Sequence, residues 1–395
     1  MQVTSNKLPS NVQAPTSKSY ANRAIILGCL NRTDSTILDL PPSKDVDDLI
    51  ENLTLVGIGF IREHNKVTIT NSFPDCEFNS DELLLPGSEG GTTIRFLLTL
   101  LCLGKRKYIL PLENRMKLRP LEEQIKILTQ LGAKIERFDD RVEIQGPLTF
   151  SKDEKIIIDC SDTTQFATSM LLIQKFYHMK LELNNIQFSN AYLEMTKKLC
   201  REFSSDYYVP VDFSSLSYIA AWSVLNQDIL IENVKAIDEN QADSFLFQIL
   251  TKQGVDWRLD QSGLHIPKSK FDKPVEVDVS RCLDLFPTLA YLAMFSGVQF
   301  SFKNLKFLKD KESDRLKEVL VLFELFSQQF HYDDKNDFLE TQVSEIKDID
   351  QSPDLPIDHR IVMLFALIKK HLGGGKVPQY QAVNKSFSNF FSLFS

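Results

Sequence analysis

The order of apolar and polar positions repeats along the chain. In three places an apolar-periodic stretch ends in Leu-Thr-x-x-Gly, and glycine can adopt the left-handed conformation that closes a helix. A short apolar stretch, a polar turn and a second apolar stretch follow, which is typical of two strands joined by a turn. The pattern predicts a repeated helix–strand–turn–strand unit. The glycines are Gly57, Gly132 and Gly254, and the predicted strand pairs are 58–61 with 67–69, 133–135 with 142–144, and 255–257 with 264–266.

The spacing of these copies is irregular, so a solenoid is not expected, and several α+β units in two lobes fit better. Weaker copies lie at 197–208 and 319–338. No low-complexity linker separates two domains. The stretch 204–214, which contains Pro210, is the best candidate for a boundary in the middle of the chain.

Composition is that of a soluble globular protein: of 395 residues, 43% are apolar and 25% are charged. Apolar runs are much shorter than the roughly 18–20 residues of a membrane span, and the N-terminus has no signal-peptide features, so a cytoplasmic location is expected. The six cysteines form no CxxC pair and are expected to be buried thiols, with no metal site. A net charge of −8 argues against a nucleic-acid partner.

Two basic segments precede predicted apolar helices near the N-terminus. The first, 14–24, combines hydroxyl groups with Lys18 and Arg23, with Lys18 expected in the loop and the helix through residues 24–27. Such a helix start can bind an anion, although a solvated basic helix start is the alternative. The second, 87–95, has glycines that let the backbone approach a ligand, followed by Arg95. Its alternative is a glycine turn before a buried helix.

Two further segments show the same combination of polar groups and a helix start. Residues 114–120 carry several charged side chains, including Arg115, before a helix expected near Leu121. Residues 161–166 place hydroxyls and Gln165 at the head of an apolar helix. The hydroxyls and the amide there either contact a ligand or simply cap the helix.

The C-terminal half carries ionisable groups next to apolar ones. Asp284 lies among leucine, phenylalanine and cysteine, which is costly unless it is paired or functional, and an N-cap is the alternative. The charged run 309–315 is either functional or a solvated helix start. Asp358-His359-Arg360 precedes the apolar run 361–368, and His359 could transfer protons.

Each segment is weak alone, but their order resembles the motif series of the EPSP synthase family over nearly the whole chain. The resemblance implies a two-lobed α/β enolpyruvyl transferase fold of about six βαβαββ-type units, with lobes of inverse α/β barrel form. It implies that 15–211 form a lobe inserted into another lobe made of 1–14 and 212–395, with a shortened last unit. The matching motifs are Ser17-Lys18-Ser19-x-x-Asn22-Arg23, Gly91-Thr92-x-x-Arg95, Arg115-Met116-x-x-Arg119-Pro120, Thr163-Thr164-Gln165-Phe166, the element around Asp284, Lys311-Glu312-Ser313-Asp314-Arg315, Asp358-His359-Arg360 and Lys385-Ser386-Phe387.

The family's reaction adds the 5-hydroxyl of shikimate 3-phosphate to C2 of phosphoenolpyruvate and then expels phosphate, a step of aromatic amino acid biosynthesis. The resemblance implies that both polyanions bind in a cleft between the lobes, without metal or organic cofactor, in a monomer. The shikimate 3-phosphate contacts would be Lys18, Ser19, Arg23, Thr163, Thr164, Gln165, Ser189, Tyr192, Asp284 and Lys311. The phosphoenolpyruvate contacts would be Lys18, Gly91, Arg95, Arg115, Gln165, Arg315, Arg360 and Lys385, and the catalytic groups Asp284, Glu312, Lys18 and His359.

Several positions depart from the family pattern. Glu89 stands where asparagine is usual, so a carboxylate adjoins an expected anion site. This should weaken phosphoenolpyruvate binding unless Glu89 turns away or pairs with a cation. The other departures are Thr16 for glycine, Phe96 for proline, Thr163-Thr164 for Ser-Ser, and a short segment over 199–211.

Two alternatives remain open. One is UDP-N-acetylglucosamine enolpyruvyl transferase, which would have Lys-Asn at the first motif and a reactive cysteine before its arginine. This chain has Lys18-Ser19 and no cysteine between 103 and 159. The other is a non-catalytic descendant that binds anions or a partner protein.

Overall fold

The computed structural model describes residues 1–77, 81–151, 155–161, 163–186, 190–350 and 352–395. Contacts divide the chain into two units, one formed by Met1–Pro15 with Val211–Ser395 and the other by Thr16–Pro210. Within the described residues, no helix has both the length and the apolar character that crossing a membrane requires.

Twelve α-helices lie in the described part of the chain. They are α1 Lys18–Leu30, α2 Lys44–Val56, α3 Gly91–Leu101, α4 Glu122–Gln130, α5 Gln165–Gln174, α6 Asn190–Glu202, α7 Phe213–Asn226, α8 Phe245–Lys252, α9 Phe286–Phe295, α10 Arg315–Leu325, α11 His359–His371 and α12 Phe390–Phe394. Short 3-10 helices cover Asn114–Leu118, Ala242–Ser244, Val279–Arg281, Leu283–Leu285, Lys306–Leu308 and Tyr380–Lys385.

Strands are short and form mixed sheets. They are β1 Gln2–Thr4, β2 Asn11–Val12, β3 Ser35–Leu38, β4 Phe60–Glu63, β5 Lys66–Ile69, β6 Leu83–Leu84, β7 Lys107–Pro111, β8 Lys134–Arg137, β9 Arg141–Gln145, β10 Lys155–Asp159, β11 Lys180–Asn184, β12 Asp206–Tyr208, β13 Ile229–Ile231, β14 Arg258–Asp260, β15 Gly263–Ile266, β16 Val275–Asp278, β17 Phe300–Lys303, β18 Phe330–Asp333, β19 Phe338–Thr341 and β20 Gly374–Lys376.

Four sheets of the described chain share one topology, in which a parallel pair is extended by an antiparallel hairpin. Their orders are β12-β3-β5-β4 and β6-β7-β9-β8 in the Thr16–Pro210 unit, and β2-β13-β15-β14 and β16-β17-β19-β18 in the other unit. The remaining pairs are β10 with β11, parallel, and β1 with β20, antiparallel. Between α6 and α7 the chain forms only β12, which pairs with β3.

The predicted helix–strand–turn–strand repeat is confirmed for the first two copies. Gly57 and Gly132 follow α2 and α4 with φ values of 116° and 106°, which is the left-handed region that glycine tolerates. The hairpins β4–β5 and β8–β9 come next. Alternate residues of β5 and β9 are buried, so one face of each of these strands covers the core.

For the third copy, the predicted position of the first strand was wrong. Gly254 closes α8 as predicted, but the strand is Arg258–Asp260 and not 255–257. The amide of Val255 is used to close the helix by donating to the carbonyl of Leu250. The hairpin register is then set by its tight turn, where Asp260 pairs with Gly263.

Each unit has three buried helices that contact one another at its centre. These are α1, α3 and α5 in the Thr16–Pro210 unit, and α7, α9 and α11 in the other. Most residues of these helices are buried, so their exposed polar groups are concentrated at the ends. Sequence motifs lie at the N-terminal ends of α1, α3, α5 and α11, which is where a helix favours anions, whereas the motif at 115–120 precedes α4 and the motif at 311–315 leads into α10.

Candidate active site

Lys18 begins α1 and does not lie in the preceding loop, so that expectation was wrong. Ser17 caps the helix by accepting from the amide of Tyr20, and this brings Lys18 into the first turn. The Lys18 ammonium donates to Asp45 Oδ2 at 2.9 Å, and the two side chains are 18% and 6% exposed. Asp45 therefore fixes the direction of a lysine that would otherwise be mobile.

Arg23 is buried on the same helix. Its Nε donates to Thr196 Oγ1 at 2.8 Å and its Nη1 to the carbonyl of Ser19 at 2.7 Å. Burial lowers the pKa of Arg23 to about 10, so it remains a cation at neutral pH. The rings of Phe96 and Tyr192 lie 5.5 and 5.7 Å from its guanidinium carbon. The family's usual proline at Phe96 is thus replaced by a ring that contacts this arginine.

Arg95 is almost completely buried in α3 and joins three segments. Its Nη1 donates to Gln165 Oε1 at 2.6 Å and its Nη2 to the carbonyl of Pro120 at 2.7 Å. Its Nε has no hydrogen-bond partner in the described part of the chain. Burial lowers the pKa of Arg95 well below its usual value, and the nearby Arg119 and Arg137 lower it further.

Arg119 contacts Gly91, and the sequence analysis did not assign it to the site. A Cβ atom on Gly91 would lie 2.2 Å from Arg119 Nη1, so the guanidinium rests against the first residue of α3. Arg115, the predicted contact, lies exposed in the 3-10 helix Asn114–Leu118. Both arginines belong to the same motif, and only the path of the backbone shows which one reaches α3.

The start of α5 holds the predicted hydroxyl and amide groups. The amide of Gln165 donates to Thr163 Oγ1 at 3.2 Å, so Thr163 contributes to capping, while the side chain of Thr164 does not cap the helix. Gln165 Nε2 also lies 3.4 Å from Thr92 Oγ1, so its amide joins α5 to α3. Ser189 lies outside the described residues.

Arg315 lies at the centre of an ionic network in the other unit and is fully buried, so the solvated helix start is not observed. Its guanidinium contacts three carboxylates, whose negative charges raise its pKa well above the usual value despite burial. These are Asp284 Oδ1 at 2.5 Å, Glu312 Oε2 at 2.5 Å and Asp358 Oδ2 at 2.9 Å. Paired charges of this kind are the form in which ions are tolerated in a protein interior.

Asp284 lies in the 3-10 helix Leu283–Leu285 and does not cap α9, whose N-cap residue is Leu285. Burial alone would raise the pKa of Asp284, but Lys311, Arg360 and Arg315 outweigh it and lower that pKa well below its usual range. The distances from Asp284 Oδ1 to Lys311 Nζ and Arg360 Nε are 3.6 and 3.5 Å. Asp284 is therefore ionised at neutral pH, although the surrounding cations make it a weaker base than a solvated carboxylate.

Asp358, His359 and Arg360 begin α11 and are all buried. Asp358 caps the helix by accepting from the amide of Arg360 at 2.9 Å, and His359 Nδ1 lies 3.8 Å from Asp358 Oδ1. The Tyr218 hydroxyl donates to the carbonyl of Arg360 at 3.1 Å. Lys385 Nζ lies 3.8 Å from Glu312 Oε1. The unit thus brings Asp284, Lys311, Glu312, Arg315, Arg360 and Lys385 together.

Asp243 is a further buried carboxylate near Asp284 that the sequence did not point to. It accepts from the Ser214 hydroxyl, and burial together with the negative charge of Asp284 raises its pKa to about 6. Its sequence signal is an acidic residue directly before an apolar helix, as at Asp284 and Asp358.

Comparison with known proteins covers both halves of the chain. The family model for EPSP synthase (3-phosphoshikimate 1-carboxyvinyltransferase) matches residues 3–206 and 202–394. The 3-phosphoshikimate 1-carboxyvinyltransferase of Haemophilus ducreyi is 26% identical over 98% of this chain and 95% of its own. That of Pyrococcus abyssi is 29% identical over 80% and 78%.

Solved structures share the fold. An EPSP synthase from Acinetobacter baumannii superposes with a TM-score of 0.76, at 18% identity over 99% of this chain and 96% of its own. The enolpyruvyl transferase NikO from Streptomyces tendae gives 0.73 at 14% identity, over 100% and 96%. The predicted enolpyruvyl transferase fold is confirmed, and the match of both halves to the family model shows that this chain belongs to the EPSP synthase family.

Proposed function

We propose that this chain transfers the enolpyruvyl group of phosphoenolpyruvate to the 5-hydroxyl of shikimate 3-phosphate and releases phosphate. The observation that carries the proposal is the family match across both halves of the chain, together with relatives of nearly equal length that bear the name of this reaction. The chain is accordingly an alkyl-group transferase of aromatic amino acid biosynthesis.

The first requirement of this reaction is the binding of two small polyanions, each with a phosphate and a carboxylate. Buried or half-buried guanidinium groups bind such groups in a forked geometry. We assign Lys18, Gly91, Arg115 and Arg119 to phosphoenolpyruvate, with Arg95 holding Gln165 and the backbone beside Arg119. We assign Ser19, Arg23, Thr163, Thr164, Gln165, Ser189 and Tyr192 to shikimate 3-phosphate.

The second requirement is proton transfer, which we assign chiefly to the network around Arg315. Ionised Asp284 removes the proton of the 5-hydroxyl while the oxygen forms a bond to C2, and Lys311 holds the neighbouring hydroxyls. Glu312, which is ionised beside Arg315 and Lys385, first takes up a proton from solvent, gives it to the methylene carbon, and takes one back when the C2–phosphate bond breaks. Lys18 is the second candidate for the proton transfer at the methylene carbon. We assign His359 an indirect role, because its Nδ1 lies beside Asp358, which contacts Arg315.

The remaining cations of this network would bind the charge that moves onto phosphate. We assign this role to Arg315, Arg360 and Lys385. Ion pairs with Glu312 and Asp284 already hold these three cations in place. Fixed charges stabilise a transition state without having to reorganise.

Growth of a bacterium that lacks its own EPSP synthase tests the proposal. The strain should grow without phenylalanine, tyrosine and tryptophan when it expresses this chain, and should fail with the Glu312→Gln variant. An immunoblot verifies that both proteins are soluble. Failure of the soluble unmodified chain would contradict the proposed function and favour a non-catalytic descendant.

Monomeric state and cytoplasmic location remain predictions. Light scattering of the purified chain tests the first, with a mass near 45.2 kDa expected. Cell fractionation tests the second.

A further inference from the structure

Few contacts hold the arginine segment, which we define as residues 114–119. It carries both Arg115 and Arg119. In its 3-10 helix Asn114–Leu118 only Met116 is buried, and Leu118 is 82% exposed. Met116 is therefore the segment's one apolar anchor, and the position of the residues on either side of it depends on the hydrogen bonds at the two ends.

The C-terminal end of the arginine segment is held by two other arginines. Arg137 Nη2 donates to the carbonyls of Lys117 at 2.8 Å and Arg119 at 3.1 Å. Arg95 Nη2 donates to the carbonyl of Pro120, the next residue, at 2.7 Å. These bonds fix the backbone beside Arg119 but leave the start of the segment to other contacts.

The start is held by Glu89. Its Oε2 accepts from Asn114 Nδ2 at 2.6 Å. Asn114 has a φ of 46°, in the left-handed region that asparagine tolerates better than most residues. The bond therefore joins the loop before α3 to the residue at which the chain turns into the arginine segment.

The loop that carries Glu89 is itself fixed. The side-chain amide of Asn52 bonds to both the amide and the carbonyl of Gly87, at 3.1 and 3.0 Å. The Ser88 hydroxyl donates to Asp48 Oδ2 at 2.8 Å. The Glu113 amide lies 3.3 Å from the carbonyl of Ser88. Glu89 is thus a rigid attachment point for its partner.

The carboxylate of Glu89 also lies in the field of a cation. Lys44 forms an ion pair with Asp48 at 2.8 Å and is attracted more weakly by Glu113 and Glu89. Burial alone would lower the pKa of Lys44, but these carboxylates, Asp48 above all, outweigh it and raise that pKa. The carboxylate at this departure from the family pattern is turned to Asn114.

We propose that Glu89 is a positioning residue for phosphoenolpyruvate binding, which anchors the start of the arginine segment and so limits the movement of Arg115, the residue that follows Asn114. The proposal rests on the proposed function for the identity of the ligand. Its physical basis is preorganisation, because a ligand that must first order a loose arginine binds more weakly.

Three variants separate anchoring from charge. Glu89→Ala and Asn114→Gly each remove the bond, and glycine keeps the positive φ at residue 114. Each should raise the KM for phosphoenolpyruvate about threefold to tenfold, with kcat and the KM for shikimate 3-phosphate within about twofold. Glu89→Gln retains an acceptor oxygen and should rescue the KM. The double variant should be no worse than the worse single variant.

The matched control is Glu63→Ala, which removes an exposed glutamate of β4 and should leave all constants unchanged. A lower KM for phosphoenolpyruvate in both Glu89→Ala and Glu89→Gln would overturn the proposal and show that the charge repels the substrate. Equal damage from Gln and Ala would also overturn it.

Hydrogen exchange of residues 114–119 gives a readout that needs no activity. Exchange should quicken in Glu89→Ala and Asn114→Gly but not in Glu89→Gln. Unchanged exchange in the first two would contradict the anchor. If the unmodified chain releases no phosphate while this exchange pattern holds, the proposed function fails and the anchoring role stands.

Discussion

At the scale of single residues, Glu312 has two separate tasks. It is one of the three carboxylates around Arg315, and it also takes part in the proposed proton transfer. In its ionised form Glu312 helps to neutralise a buried guanidinium, and after taking up a proton it is the proposed donor to the methylene carbon. Its Oε1 lies near Lys385, so its second oxygen is directed to another cation. Replacing Glu312 with glutamine removes its charge and its acidity but keeps its shape, so the effect of the replacement is not one of packing.

Glu312→Gln should lower kcat by about hundredfold or more, because a positioned acid or base contributes at least that factor. The KM values should change much less, since the amide preserves the shape of the side chain. Steady-state kinetics with both substrates measures the effect. An unchanged kcat would remove Glu312 from the proton transfer.

Asp243 should make stability depend on pH. Its pKa is raised to about 6 in the folded protein by burial and Asp284, against about 3.9 in the unfolded chain. Between those values the folded state binds more protons, so this carboxyl lowers stability as pH rises from about 4 to 6 and no further above that. Asp212 adds negative charge near Asp243, whereas Arg360 opposes the shift.

Asp243→Asn should therefore stabilise the protein at pH 7.5 more than at pH 4.5, by at most about 3 kcal/mol. Urea denaturation at the two pH values measures the difference between variant and unmodified chain. A difference that is the same at both values would show that Asp243 does not titrate in this range.

At this scale the sequence predicted those site residues that lie in local motifs. It identified the candidate side chains Lys18, Arg95 and Asp284, because each lies in a motif of contiguous residues. It could not show that Arg119 lies against Gly91, nor pair Arg315 with Asp358. Those outcomes depend on backbone paths and on contacts between residues 43 positions apart.

At the scale of elements, the helix ends explain why the repeat was visible. Gly132 and Gly254 follow their helices with positive φ, and the next amide closes each helix by bonding back to Leu128 or Leu250. After α10, Ser327 takes the same place with a φ of 63°, and the amide of Gln328 bonds back to Phe323. The copy predicted weakly at 319–338 therefore has the same helix end without its glycine.

Ser327→Gly should stabilise the protein by about 0.5–1 kcal/mol, because it removes the steric cost of the left-handed conformation. The matched control is Ser296→Gly, at the right-handed end of α9, where glycine should destabilise. Chemical denaturation of both variants gives the sign. Stabilisation by neither would mean that the helix end of α10 is not strained.

Strand positions were less predictable than helix ends. The strand expected at 255–257 lies at Arg258–Asp260, because the tight turn before Gly263 fixes the register. In the weak copy at 197–208 the helix α6 is followed by the single strand β12 rather than a hairpin. Hydrophobic periodicity indicates that a strand exists, whereas pairing decides where it begins.

At the scale of the whole molecule, each unit uses the same plan of three buried helices with polar groups at their N-terminal ends. The bodies of these helices are buried, so charged side chains are concentrated at their ends. The plan accounts for motifs that are scattered along the chain but similar in kind. In several of them a serine, threonine or aspartate stands near a cation and before an apolar helix. Family membership links this plan to enolpyruvyl transfer.

The most direct test of that link is phosphate release by the purified chain in deuterated water, with product analysis by mass spectrometry. The account predicts one phosphate per molecule of 5-enolpyruvylshikimate 3-phosphate, release only when both substrates are present, and deuterium in the product's methylene group. Binding of both substrates at high enzyme concentration, with no phosphate and no product, would contradict it.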